Sequence, residues 1–190
     1  MTAEEFLLWN LTQDQRYELV DGQPVPLRAM SGASAFHDEI VVNIIAAMRA
    51  KLRDAGCSPR TADTAVRTAI KRVRRPDVTI ECAPPQAKIY EARNPIAVFE
   101  VMSPGTRGAE LLTKHGEYVR HPTIQMIISI DPDVIDVLVS TRQPDGLWLD
   151  TRLQAKSDGF RLPVSNVVLT LNEIYDGLPV NRVDGMTNQS

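Results

Sequence analysis

Two acids in this chain stand where their surroundings make a charge expensive. Glu100 interrupts the apolar run IAVFEVM, and the flanking Val98, Phe99 and Val101 predict a strand buried on both faces. A buried carboxylate without a partner is costly, so Glu100 requires a cation, a hydrogen-bond donor or a metal nearby. Asp77 follows Pro76 at the mouth of an earlier strand-like run, DVTIEC. If the two strands are neighbours, their carboxylates converge, and hard oxygen ligands on adjacent strands suit Mg²⁺ or Mn²⁺. Taken alone, Pro-Asp at a strand entrance is ordinary turn chemistry; its company with Glu100 is what makes it a candidate ligand.

Hydrolysis of a phosphodiester at such a pair needs an activated water, a cation that holds this water and offsets developing negative charge, and a clamp on the leaving oxygen. Lysine ordinarily does the first two jobs. Two places past Glu100, where many metal-dependent nucleases carry that lysine, this chain has Met102. Lys114 is the best substitute, because it lies on the helix expected after the Glu100 strand, with Glu110 one turn before it and Tyr118 one turn after. The same spacing also permits a plain Glu110–Lys114 surface pair worth about 0.3 to 0.5 kcal/mol.

Between Arg60 and Arg75 six basic residues (Arg60, Arg67, Lys71, Arg72, Arg74 and Arg75) face a single acid, Asp63. Such a run is usually a solvated strand and turn, but its dense end abuts Asp77, so Arg72, Arg74 and Arg75 are candidates for phosphate contacts. His37, near the first turn of a long helix, serves either local hydrogen bonding or a substrate phosphate. SPGTRG, residues 103 to 108, reads either as an anion cradle ahead of a helix or as common turn chemistry. His115 and His121 have no HExxH frame, no nucleotide-binding glycine motif is present, and neither zinc nor a nucleotide cofactor is expected.

The elements that would position these residues are legible from periodicity. Thr2 and Glu5 form a capping-box pattern before a short helix, and RYELVDGQPV is a hairpin turning at Asp21-Gly22. Phe36, Ile40, Val41, Ile44, Ile45, Met48 and Leu52 make one helical stripe. TAVRTAI, DVTIEC and IAVFEVMS follow as strands, the last of them apolar and central; a helix spans the stretch from Thr106 to Arg120. IQMIISI and VIDVLVS then pair across Asp131-Pro-Asp133, with later strands in LWLDTRLQ and NVVLTL. The expected fold is α/β, with a mixed sheet flanked by helices.

A chain of 190 residues with 43% apolar content supports one sizeable core, so residues 1–176 are expected to form a single domain with 177–190 as a flexible polar tail. The net charge of −3 argues against a protein that coats nucleic acid by charge alone. No signal-peptide pattern or membrane-length apolar run occurs, and a soluble cytoplasmic protein is expected. Cys57 and Cys82, without a CxxC or zinc-like spacing, read as ordinary buried thiols.

YELVDG (residues 17 to 22), His37, RPDV (75 to 78), FEVMSPGT (99 to 106), Lys114, Tyr118 and ISIDP (128 to 132), in that order, resemble the Uma family of restriction-endonuclease-like proteins within the PD-(D/E)xK nuclease superfamily. The resemblance runs over about residues 3 to 175. It implies a restriction-endonuclease-like αβββαβ core, with Asp77 and Glu100 as metal-binding carboxylates and Lys114 as a catalytic lysine moved to the following helix. Glu18 would be an additional catalytic acid. The chain departs from the family at Glu110, where Asp is more usual, and in TIQMIISIDP, which lacks the aromatic residues common before DP. The reading that follows is a Mg²⁺- or Mn²⁺-dependent DNA endonuclease, with a homodimer as a possible assembly. The alternatives are a nucleic-acid-binding module without turnover, and a regulatory homodimer in which Lys114 or an arginine neutralises Glu100.

Overall fold

Caps and turns fix where the first elements begin and end. The computed structural model describes residues 1–27, 34–103, 108–164 and 166–181. Helix α1 (Ala3–Asn10) opens on Thr2, whose hydroxyl accepts from the Glu5 amide while the Glu5 carboxylate accepts from the Thr2 amide, satisfying two otherwise orphaned donors. Strands β1 (Tyr17–Val20) and β2 (Gln23–Pro26) are joined by Asp21 and Gly22, with φ of 49° and 83°. Positive φ at both central residues is what a two-residue hairpin requires, and Asp-Gly supplies it. Helix α2 (Ala35–Lys51) is capped by Ser34, whose hydroxyl accepts from the His37 amide, and it buries Ile40, Ile44 and Met48 at helical spacing.

The strands that follow are β3 (Ser58–Thr61), β4 (Val66–Ala69), β5 (Arg72–Arg74), β6 (Val78–Glu81) and β7 (Pro95–Val101). Helix α3 (Ala109–Arg120) leads into β8 (Met126–Ile130), β9 (Val137–Arg142) and β10 (Trp148–Leu153). A two-stranded unit, β11 (Gly159–Arg161) with β12 (Val168–Thr170), ends at the short helix α4 (Leu171–Ile174). The main sheet has the order β10-β9-β8-β7-β6-β3, and a smaller one has the order β2-β1-β5-β4. TAVRTAI therefore contributes β4 to the smaller sheet, beside β5, and is not a companion of β6 and β7. Strand β7 is central and buried along its whole length; it is parallel to β8, as the intervening α3 allows, and antiparallel to β6. No helix among the described residues is long and apolar enough to cross a membrane.

Register places the charged residues. Val78 lies opposite Phe99 in the antiparallel β6–β7 pair, so one step outward Asp77 faces Glu100. Leu19 lies opposite Val73 across β1 and β5, so Glu18 faces Arg74. Side chains alternate along β7. Phe99 joins the large core with Ile40, Ile44 and Met48 from α2, while Val98 packs on the other face with Val66 and Tyr118. Glu100 shares the face of Val98, which is the face that α3 covers.

Two expectations are corrected. Cys57 and Cys82 are not separate buried thiols: they form a disulfide, and both are only half-buried. Ser58 pairs with Glu81 at the end of the β3–β6 ladder, so the next residues outward stand across from each other. Nothing in the spacing of the two cysteines along the chain points to that pairing. Linking residues 25 apart removes loop entropy from the unfolded chain, which by chain-entropy estimates stabilises the fold by about 3.5 kcal/mol. Urea unfolding with and without reductant should show that loss, and an unchanged midpoint would refute it. The second correction concerns the tail, which does not begin at residue 177. Leu178 and Val180 are buried, and the Ile135 amide donates to the Asn181 carbonyl. Residues 182–190 lie outside the described set.

Candidate active site

Lys114 is buried, with 4% of its surface exposed, and its position on α3 carries the ammonium to the mouths of β1 and β7. Its Nζ lies 3.2 Å from Glu18 Oε1 and 3.6 Å from Glu100 Oε2. Tyr118, one turn on, donates its hydroxyl to Glu100 Oε1 at 2.6 Å. Asp77 Oδ2 accepts the Val101 amide at 2.8 Å, and its Oδ1 is 3.5 Å from His37 Nε2. Each of the two facing acids thus has one oxygen fixed by a donor and presents the other to a cationic or ionisable side chain.

Behind this front lies a second layer of charge. Arg74 donates to both oxygens of Glu117, at 2.8 and 2.6 Å, and to Glu18 Oε2 at 2.9 Å. Glu18 also accepts the Arg75 amide at 3.0 Å, and Glu117 accepts the Thr68 hydroxyl at 2.7 Å. Glu18, Arg74, Glu117, Glu100 and Lys114 are all buried. Charges so removed from water persist only when each has several partners, and each of these does.

The protonation states follow from that pairing. Burial opposes the Glu18 charge, but Lys114 and Arg74 outweigh it and hold the carboxyl below its usual range. Glu117 is likewise held low by Arg74 and Thr68 against its burial. Burial also works against the Lys114 ammonium, which Glu100 and Glu18 nevertheless keep above its ordinary value. Glu100 is the opposite case, because burial pushes its carboxyl up to about 7 despite the pull of Lys114. The hydrogen bond to Asp77 raises the His37 imidazole against its burial.

A carboxyl whose value rises on folding, from an ordinary 4.5 to about 7, stabilises the fold at low pH and loses that contribution as pH climbs between those values. Glu18 and Glu117 act in the other direction, with stability present above their ordinary value and lost on acidification below it. Glu100→Gln is therefore expected to flatten the decline in stability between about pH 4.5 and pH 7 while leaving the acid limb in place. Denaturant unfolding at a series of pH values measures this, and parallel curves for the two proteins would contradict it.

The donor set fits a hard divalent cation. Asp77 and Glu100 face each other across the β6–β7 pair, and among the described residues the oxygens not used for positioning carry only the longer contacts to His37 and Lys114. Among the described residues no cluster of three or more His, Cys, Asp or Glu side chains could hold a metal. A site with two carboxylates leaves the remaining positions to water and substrate phosphate, the usual manner of Mg²⁺ coordination.

The residues singled out from the sequence fall into two groups. Glu18, Asp77, Glu100 and Lys114 come together. Glu18 is held by Arg74, the Arg75 amide and Lys114. Arg74 and Arg75 are used differently from expectation: both are buried, and the Arg75 guanidinium donates to the carbonyls of Tyr17, Ala62 and Asp63. With their donors spent inside the protein, neither presents a face for phosphate. Arg72 is half-exposed, paired with Asp21 and 3.5 Å from Glu117. His37 is buried against Asp77 and not exposed beside a surface groove. Most of SPGTRG lies outside the described residues. Glu110 is exposed, so the inward face of α3 is Lys114, Glu117 and Tyr118. Sequence reading passed over Glu117; the i, i+3, i+4 spacing of these three residues was the signal available.

Comparison with known proteins agrees with this architecture. The sequence model of a family described as "Uma2: Putative restriction endonuclease" matches residues 3–172. An uncharacterized Synechocystis protein, slr1290, is 27% identical over 180 residues, covering 94% of this chain and 93% of its own. A crystal structure from Anabaena variabilis, described as that of "a putative nuclease belonging to DUF820", superposes with a TM-score of 0.70 at 17% identity over 92% of this chain and 97% of that one. At that identity the likeness is one of fold.

Proposed function

The chain belongs to the Uma2 family, and from that membership and the geometry of its buried acids we propose that the protein is a divalent-metal-dependent endonuclease hydrolysing phosphodiester bonds in DNA. The observation that carries the proposal is the placement of Lys114 Nζ between Glu18 and Glu100, with Asp77 facing Glu100 across the strand pair. Asp77 and Glu100 would hold Mg²⁺ or Mn²⁺, which when bound supplies Lewis acidity at the scissile phosphate and lowers the pKa of the attacking water. Lys114, held charged by its acidic neighbours, orients that water and offsets negative charge developing on the phosphate. Glu18 fixes the ammonium, and the Arg74–Glu117 pair fixes Glu18. Tyr118 holds Glu100 in its rotamer through the hydroxyl hydrogen bond. Arg72 remains the candidate for a phosphate contact from this strand.

The test is Mg²⁺-dependent cleavage of duplex, single-stranded and branched DNA by the wild type and by Asp77→Ala, Glu100→Ala and Lys114→Ala. Cleavage by the wild type alone supports the proposal, and equal activity in all four proteins rejects it. One observation favours a second reading, a binding module without turnover: Lys114 and His37 already stand against the acid oxygens that a metal would take. That reading predicts salt-sensitive DNA binding that is indifferent to divalent ions.

A further inference from the structure

The disulfide lies at the far end of β6 from Asp77, beside a cavity of about 210 Å³ lined by Arg49, Arg53 and Cys57. Arg49 and Arg53 are four residues apart around the end of α2, so both project from one face. Both are exposed, and among the described residues neither guanidinium has a hydrogen-bond or ion-pair partner; the adjacent acid in the chain is Asp54. Several other described arginines are ion-paired: Arg67 with Glu91, Arg72 with Asp21, Arg74 with Glu117 and Arg152 with Asp136. Two unpaired arginines lining the same cavity as one cysteine of a half-buried disulfide make an anion-attracting entrance to a bond that thiolates cleave.

We propose that the Cys57–Cys82 disulfide is a thiol-exchange site, and that the Arg49–Arg53 cavity docks a small carboxylate-bearing thiol for attack on Cys57. The incoming thiolate forms a bond to Cys57 Sγ, the Cys57–Cys82 bond breaks, and its electron pair leaves on Cys82 Sγ, which takes a proton from water. A second thiolate then attacks the sulfur of the docked thiol, releasing the Cys57 thiolate and a symmetrical small disulfide. Two small thiols are oxidised and one protein disulfide is reduced. The arginines favour attack at Cys57 and stabilise the thiolate released there. The Ala55 carbonyl, 3.4 Å from Cys57 Sγ, accepts the thiol hydrogen once it forms. Exchange removes the covalent link between the edge strand β3 and β6 and leaves their backbone ladder in place. None of this depends on the nuclease reading.

The experiment uses the full chain, oxidised in air, with thiols counted by alkylation and mass spectrometry. Reduction rates with glutathione and with cationic cysteamine are each divided by the rate of the same thiol on a small neutral disulfide, which removes differences in nucleophilicity. In the wild type the glutathione-to-cysteamine ratio is expected to be about tenfold or more, the lower range for charge-focused clefts. It should fall towards one in Arg49→Gln/Arg53→Gln and in 1 M salt. Cys82→Ser treated with oxidised glutathione, whose disulfide the Cys57 thiolate attacks with release of one glutathione thiolate, should retain glutathione on Cys57. An equal ratio in wild type and double variant, free thiols in the air-oxidised protein, or failure of Cys57 to retain glutathione would each overturn the proposal. Because the arginines are exposed, loss of the fold does not confound the result.

Discussion

Lys114→Met is expected to reduce DNA cleavage by roughly a hundred- to a thousandfold, the usual cost of deleting a charge that stabilises the transition state. The substitution keeps a long unbranched side chain, so packing of α3 against the main sheet changes little. What is lost is the ammonium that neutralises two buried acids. Their responses differ. Glu100 already titrates near 7 and simply takes a proton when its cation is removed. Glu18 keeps Arg74 and the Arg75 amide, so it stays ionised with one partner fewer. The stability cost should therefore lie at or below the lower end of the 3 to 5 kcal/mol typical of a broken buried pair, roughly 2 to 3 kcal/mol. A variant that stays folded and inactive separates chemistry from structure; one that retains full cleavage removes lysine from the reaction.

Arg74→Met should have the larger effect on stability, a loss of about 3 to 5 kcal/mol. Arg74 is the hinge of the buried network, since its guanidinium satisfies Glu117 twice and Glu18 once. Removing it leaves Glu117 with the Thr68 hydroxyl and the distant Arg72 contact, which does not compensate a buried charge. Combining Arg74→Met with Glu117→Gln should recover part of the loss, because the acid is then neutral and no orphaned charge remains. Urea denaturation of both single variants and the double variant gives the coupling. Strict additivity would show that the two side chains do not act as a pair.

Much of this was legible in the sequence, for identifiable reasons. Glu100 sits in so apolar a run that only burial with a partner made sense, and β7 is indeed the buried central strand. Asp21-Gly22 announced a hairpin through backbone conformation alone, and the Thr2–Glu5 capping box is present as its spacing required. What escaped were facts of pairing between distant strands. The basic run around Arg72 to Arg75 resembled a surface because composition cannot show that Glu18 stands opposite Arg74 across two strands. The same blindness hid the disulfide, which depends on the register of β3 with β6. Glu117 was overlooked because a glutamate in a helix is usually solvated, and only the buried arginine facing it changes that expectation.

The central claim is that Asp77 and Glu100 share a divalent cation beside Lys114. Diffraction from crystals soaked in Mn²⁺ at a concentration that supports cleavage tests it most directly. A strong anomalous peak between the two carboxylates, absent from Glu100→Gln crystals treated in the same way, is the predicted result. Clear density for both acids with no anomalous signal between them, while the protein still cleaves DNA in Mn²⁺, would contradict it.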